Sequence, residues 1–134
     1  MADVLALEIV TPERLLVRDE VTAVQARAAT GYLGILPGHA PLLAELGIGF
    51  LNYDAGGKRK FLAVHGGYLE ILADRVRVLA TSAERAEDID VERAKVALKK
   101  AQEQVLSASP DADPAVAMGA VARAQARLDA AAGR

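Results

Sequence analysis

Four cationic side chains in the last third of the chain have the spacing best suited to chemistry: Arg93, Lys100, Arg123 and Arg127. Asp90 and Arg93 are three residues apart, so on a helix their side chains share one face. Lys100, seven beyond Arg93, continues that stripe, and Arg123 and Arg127, four apart, form another. If the two segments are helices folded back on each other, the cations can converge near a helix N-terminus. Charge-assisted donors and the helix dipole both favour an anion there, which suits a polyphosphate. A solvated charged face paired with Glu92 and Glu103 needs no ligand, and spacing alone favours it.

Catalysis finds little support. There is no cysteine nucleophile, no Gly-x-Ser-x-Gly elbow and no His-Glu-x-x-His helix. The run Gly31-Tyr32-Leu33-Gly34-Ile35-Leu36-Pro37-Gly38 has neither Walker nor dinucleotide spacing. Its expected role is structural, with glycines at sharp turns and Leu33, Ile35 and Leu36 packing inward. His39, in a loop closed by Pro37 and Pro41, reads as a hydrogen-bonding or contact residue. His65, beside Gly66 and Gly67, reads as a local structural histidine at a strand end. An enzyme using His39 with a carboxylate has no paired-carboxylate or nucleophile motif behind it.

Composition narrows the classes further. The 134 residues suit one compact domain with an appendage. A net charge of −2, 4% aromatic content and no Trp leave neither a basic field nor a stacking surface, so no nucleic-acid partner is expected. Without cysteine there are no disulfides or thiolate metal sites, and two histidines do not suggest zinc. No apolar run approaches the ~20 residues that span a bilayer, and the first residues do not open a signal peptide. The chain is expected to be soluble, with any membrane contact made through a partner.

Two rhythms organise the elements that must position these residues. Up to about Ala80, short β-branched runs are broken by Gly, Pro and Asp. Leu5, Leu7 and Ile9 alternate with Ala6, Glu8 and Val10, as in a strand with one buried face. Leu15–Arg18 and Val21–Arg27 predict two more strands. Ile48–Tyr53 and Lys60–Val64 flank Asp54-Ala55-Gly56-Gly57-Lys58, a hairpin signature, and Ala73-Asp74 joins Tyr68–Leu72 to Arg75–Leu79. Many short strands without intervening helices predict a sandwich or barrel.

Beyond Glu84 the period becomes helical. Val91, Ala94, Leu98, Ala101 and Val105 form one narrow apolar stripe, with Asp88 or Asp90 as cap. Ser107–Asp113 reads as a linker broken by Pro110, and Asp113-Pro114 restarts a helix whose stripe is Ala117, Val121, Ala124 and Leu128. The short linker predicts an antiparallel helical hairpin. Alanine stripes bury little, and Gly119 costs ~1 kcal/mol in mid-helix, so a docking energy of a few kcal/mol is expected. A ligand at 100 times its dissociation constant adds ~2.7 kcal/mol to the state that binds it, enough to decide whether the hairpin stays folded. A stable coiled-coil tail is equally compatible with the composition.

Ile9-Val10-Thr11-Pro12-Glu13, Gly31 to Leu42, Gly66-Gly67-Tyr68-Leu69-Glu70 with Val76–Ala80, and Glu84 to Ala94 together resemble the epsilon chains of bacterial F-type ATP synthases. The resemblance covers essentially the whole chain in order. It implies an α+β protein in two parts: a ten-stranded β-sandwich at 1–86, then an antiparallel two-helix hairpin at 87–134. It implies a non-catalytic rotor subunit that couples proton translocation to ATP synthesis. The implied partners are the gamma subunit, the c-ring and the alpha and beta subunits, on the cytoplasmic side of the inner membrane. The Gly31–Leu43 segment with His39 would meet gamma and the c-ring, and the hairpin, when extended, would restrain ATP hydrolysis.

Some members resembling this chain bind regulatory ATP through an Ile/Leu-Asp-x-x-Arg-Ala motif, which here reads Ile89-Asp90-Val91-Glu92-Arg93-Ala94. Glu84, Arg123 and Arg127 match further positions of that pattern, and no other cofactor is implied. Lys100 stands where the pattern has arginine; it keeps the charge but loses the bidentate fork. A stand-alone ATP-sensing module, its hairpin folded over nucleotide, is the alternative reading.

Overall fold

The computed structural model describes residues 3–107 and 113–134. Eight strands come first: β1 (Leu5–Val10), β2 (Leu15–Val21), β3 (Ala23–Ala28), β4 (Gly31–Ile35), β5 (Leu42–Ala55), β6 (Lys58–Leu72), β7 (Arg75–Ala80) and β8 (Ala83–Arg85). A 3-10 turn at Ala86–Asp88 leads to helices α1 (Val91–Leu106) and α2 (Pro114–Ala132). The strand order is β2-β1-β7-β6-β5-β3-β4, with β8 paired to β6. All neighbours are antiparallel except β1 and β7, which run parallel.

The expected pleat is present. Leu5, Leu7 and Ile9 are fully buried, and their parallel neighbours Val76 and Val78 complete that face of the core. Gly56 and Gly57 both take positive φ, the backbone that a two-residue hairpin between right-twisted strands requires. Ala73 does the same in the next hairpin, at φ 54°.

The strand count differs from ten in an instructive way. β5 and β6, 14 and 15 residues long, are continuous elements that each serve two parts of the sandwich. The Lys58–His65 half of β6 carries β8, and the Gly67–Leu72 half carries β7. Counted as halves, β5 and β6 bring the total to ten segments. The crossover is at Gly66 and Gly67, both at positive φ, where a Cβ on Gly67 would overlap the Leu79 carbonyl oxygen.

Two local expectations are corrected. Val21–Arg27 is not one strand: it divides at Thr22, with β2 pairing β1 and β3 pairing β4 and β5. Val21 and Val24 are both buried, and their odd spacing marks the change of face. Leu36 does not pack inward; it is 63% exposed, while Ile35 is buried and Leu33 partly so.

The C-terminal helices begin as expected. The Asp90 side chain accepts the Arg93 backbone N–H at 3.1 Å, and Asp113 accepts that of Ala115 at 2.9 Å with Pro114 following. The linker's residues 108–112, including Pro110, lie outside the described residues. The end of α2 lies beside the start of α1: Ile89 and Val91 cluster with Ala126, Ala130 and Ala131. The two helices are therefore antiparallel.

Candidate functional site

The site grows from the outer face of β5 and β6. Leu62 and Val64 point into the main core, while Phe61, Ala63 and His65 point the other way, with Ile48 and Phe50 beside them on β5. That outer face is covered by α2, so the run Leu62–His65 is buried on both sides. Such unbroken apolar runs are the sequence signal of a strand covered twice.

Covering it requires a helix with two apolar faces. Ala117 and Ala124 are buried toward α1, and Ala126 and Ala130 toward the sandwich. Two residues of helix turn by about 200°, so Ala124 and Ala126 lie on opposite sides. The stripe legible in the sequence, Ala117, Val121, Ala124 and Leu128, is therefore only half of the buried surface. Alanine suits both faces because it lets the helix approach closely, but each methyl contributes only ~0.8 kcal/mol. On α1, Ala94 and Ala101 are buried, Leu98 is half-buried and Val105 is exposed.

Polar contacts cluster at one edge of this dock. Glu84 on β8 lies opposite Ala63 on β6, and its Oε1 accepts Arg127 Nε at 2.5 Å. Both side chains are about one-third exposed. Arg123, one turn before Arg127, is half-buried, and Gly119 leaves the space in which its guanidinium lies. At the far end Arg134 Nη1 donates to the Ala86 and Ile89 carbonyls, at 2.7 and 3.3 Å. This clasp was not anticipated, since a C-terminal arginine bound to main-chain oxygens leaves no pattern.

His65 is more than a local strand-end residue. Its side chain is 5% exposed and lies between Glu84 and α2, with Nε2 3.6 Å from Glu84 Oε1. Burial pushes its pKa below the ordinary value; Arg127 and Arg123 push the same way, and Glu84 opposes them. His39, by contrast, sits in its loop with Nδ1 2.7 Å from the Ala40 carbonyl.

The expected anion-site residues divide into two groups. Glu84, Arg127 and Arg123 gather beneath α2. Ile89 and Ala94 are buried packing residues, and Asp90 caps α1 through the Arg93 main chain rather than its guanidinium. Arg93 and Lys100 remain exposed on α1 and form no ion pair among the described residues. Glu92 pairs instead with Lys95, at 3.4 Å.

The described residues thus form a β-sandwich with a helical hairpin laid along one outer face and a polar seam between them. The sequence model described as "ATP synthase, Delta/Epsilon chain, beta-sandwich domain" matches residues 4–86, and "ATP synthase, Delta/Epsilon chain, long alpha-helix domain" matches 87–132. The chain belongs to the ATP synthase delta/epsilon family, and is a rotor stalk subunit of the F-type enzyme rather than a catalytic one.

It is 59% identical to the ATP synthase epsilon chain of Solibacter usitatus over 96% of both chains. It is 48% identical to that of Koribacter versatilis, over 83% of this chain and 78% of the relative. In fold it is similar to a chain of the Euglena gracilis mitochondrial ATP synthase structure (OSCP/F1/c-ring). That likeness has a TM-score of 0.85 at 24% identity, covering 98% of this chain and 83% of that one. No helix among the described residues is long and apolar enough to cross a membrane.

Proposed function

We propose that the sandwich, residues 1–86, binds the gamma subunit and rests on the c-ring, while the hairpin, residues 87–134, is a regulatory arm. The arm leaves its dock to reach between the alpha and beta subunits and restrain ATP hydrolysis. The complex holds the chain peripherally on the cytoplasmic side of the inner membrane. The observation that carries this reading is the dock itself: small alanine faces and, among the described residues, one partly exposed ion pair, a bond weak enough to be broken in operation.

Exposed apolar side chains support the scaffold half. Leu36, Leu43, Tyr68, Leu72 and Leu79 are each roughly half or more exposed, with Tyr68 and Leu79 directly opposite across β6 and β7. Leu36 and Leu43 lie within the Gly31–Leu43 segment, and Tyr68 and Leu72 lie on β6, which pairs with the end of that segment; together they offer a partner surface. Regulatory ATP, held by Glu84, Ile89, Asp90, Arg93, Ala94, Arg123 and Arg127, would favour the docked arm. Arg123 and Arg127 supply phosphate-seeking forks, and exposed Arg93 has no competing carboxylate among the described residues.

Reconstitution with gamma, alpha and beta subunits tests the proposal. Ending the chain at Ala86 should leave binding to gamma intact and raise ATP hydrolysis. Unchanged hydrolysis would remove the inhibitory role; loss of gamma binding would remove the assignment of the sandwich.

A further inference from the structure

His65 is nine-tenths buried, yet neither ring nitrogen has a hydrogen-bond partner among the described residues. The carboxylate beside it, Glu84 Oε1 at 3.6 Å, is beyond hydrogen-bond range and committed to Arg127. An imidazole left unsatisfied inside a protein costs stability, so its place beneath α2 calls for an explanation.

The groups facing the ring come from two bodies. Glu84 on β8 is the one anion among the described residues. Arg127 and Arg123, both on α2, are the cations. β5 contributes apolar Ile48 opposite His65, and the Ser82 carbonyl takes the His65 backbone N–H at 2.8 Å. The anion thus belongs to the sandwich, whereas both cations and much of the cover belong to the arm.

We propose that His65 is a proton-operated latch for the helical arm: on protonation the ring takes Glu84 from Arg127, repels both arginines and releases α2. This inference rests on the reading of α2 as a detachable arm and adds the signal that detaches it.

With α2 docked, burial and the two arginines hold the His65 pKa below 6.5. Release returns water to the ring and removes both cations while Glu84 stays, so the released state binds the proton more tightly. Docking is therefore fully favoured above the released-state pKa and is lost as pH falls through that value toward the docked one. Each unit of difference between the two pKa values changes the docking equilibrium by up to tenfold.

The test uses the full chain, whose lack of cysteine allows a clean label pair at Glu13→Cys and Gln125→Cys. Energy transfer should change between pH 8 and pH 5.5 as the arm leaves, and His65→Leu should abolish most of that change. Proton NMR of the two histidines adds a measurement on unaltered protein: His65 should titrate below 6.5 and move upward in Arg127→Ala.

A pH response shared by wild type and His65→Leu would overturn the latch, as would a His65 pKa indifferent to Arg127. A flat response in the wild type, with Arg127→Ala still loosening the arm, would also end the latch but leave the detachable arm standing. An arm that neither pH nor Arg127→Ala can loosen would end both.

Discussion

Arg127 on α2 and Glu84 on β8 meet at 2.5 Å across 43 residues of sequence, forming the one side-chain ion pair that joins the arm to the sandwich among the described residues. Because both are partly solvated, the pair contributes in the range of ~0.2–1 kcal/mol. It serves as a selector of the docked position more than as a source of stability.

Arg127→Ala should therefore leave the urea midpoint of the sandwich nearly unchanged while hydrogen exchange in α2 accelerates up to about fivefold. Glu84→Gln should behave alike, and the double variant should be no worse than either alone. Acceleration spread evenly over β1 to β7 would contradict this local role.

Ala130 is fully buried against the cluster that includes Ala63. Ala130→Leu inserts three carbons where the helix meets the strand and should weaken docking by about 1–3 kcal/mol. Limited proteolysis would detect this as faster cleavage within α2 at unchanged sandwich stability. Gln125→Ala, on an exposed position, is the control.

Gly67 combines φ 116° with a carbonyl oxygen where its Cβ would lie. Gly67→Ala should cost the sandwich more than the ~1–3 kcal/mol of backbone strain alone, read as a lower urea midpoint. Gly34→Ala meets open space at ordinary φ and should be tolerated.

ATP binding should respond to the one position that departs from the expected arginine pattern. Lys100→Arg restores a bidentate donor and should tighten ATP about tenfold by calorimetry, while Arg123→Ala should weaken it by at least as much. Equal heats for all three proteins would dismiss the nucleotide site without touching the scaffold role.

The fold was largely legible because its signals are local. Leu5, Leu7 and Ile9 declare a pleat, Gly56-Gly57 a two-residue turn, and Asp90 and Asp113 the first turns of helices. Each depends on backbone dihedrals or on side chains within a few residues. Val21 and Val24, by contrast, belong to different strands because β-branched runs look alike on either side of a corner.

The two-part architecture, sheet then helices, was settled by sequence alone, since periods of two and of 3.6 residues bury incompatible sets of side chains. The dock was decided only by tertiary structure. Alanine is compatible with any face, so nothing in Ala126 and Ala130 announces that they meet β6 rather than solvent. The joining of Arg127 to Glu84 and the burial of His65 depend on bringing α2 back over a strand formed some sixty residues earlier, an arrangement set by long-range packing and by no local preference.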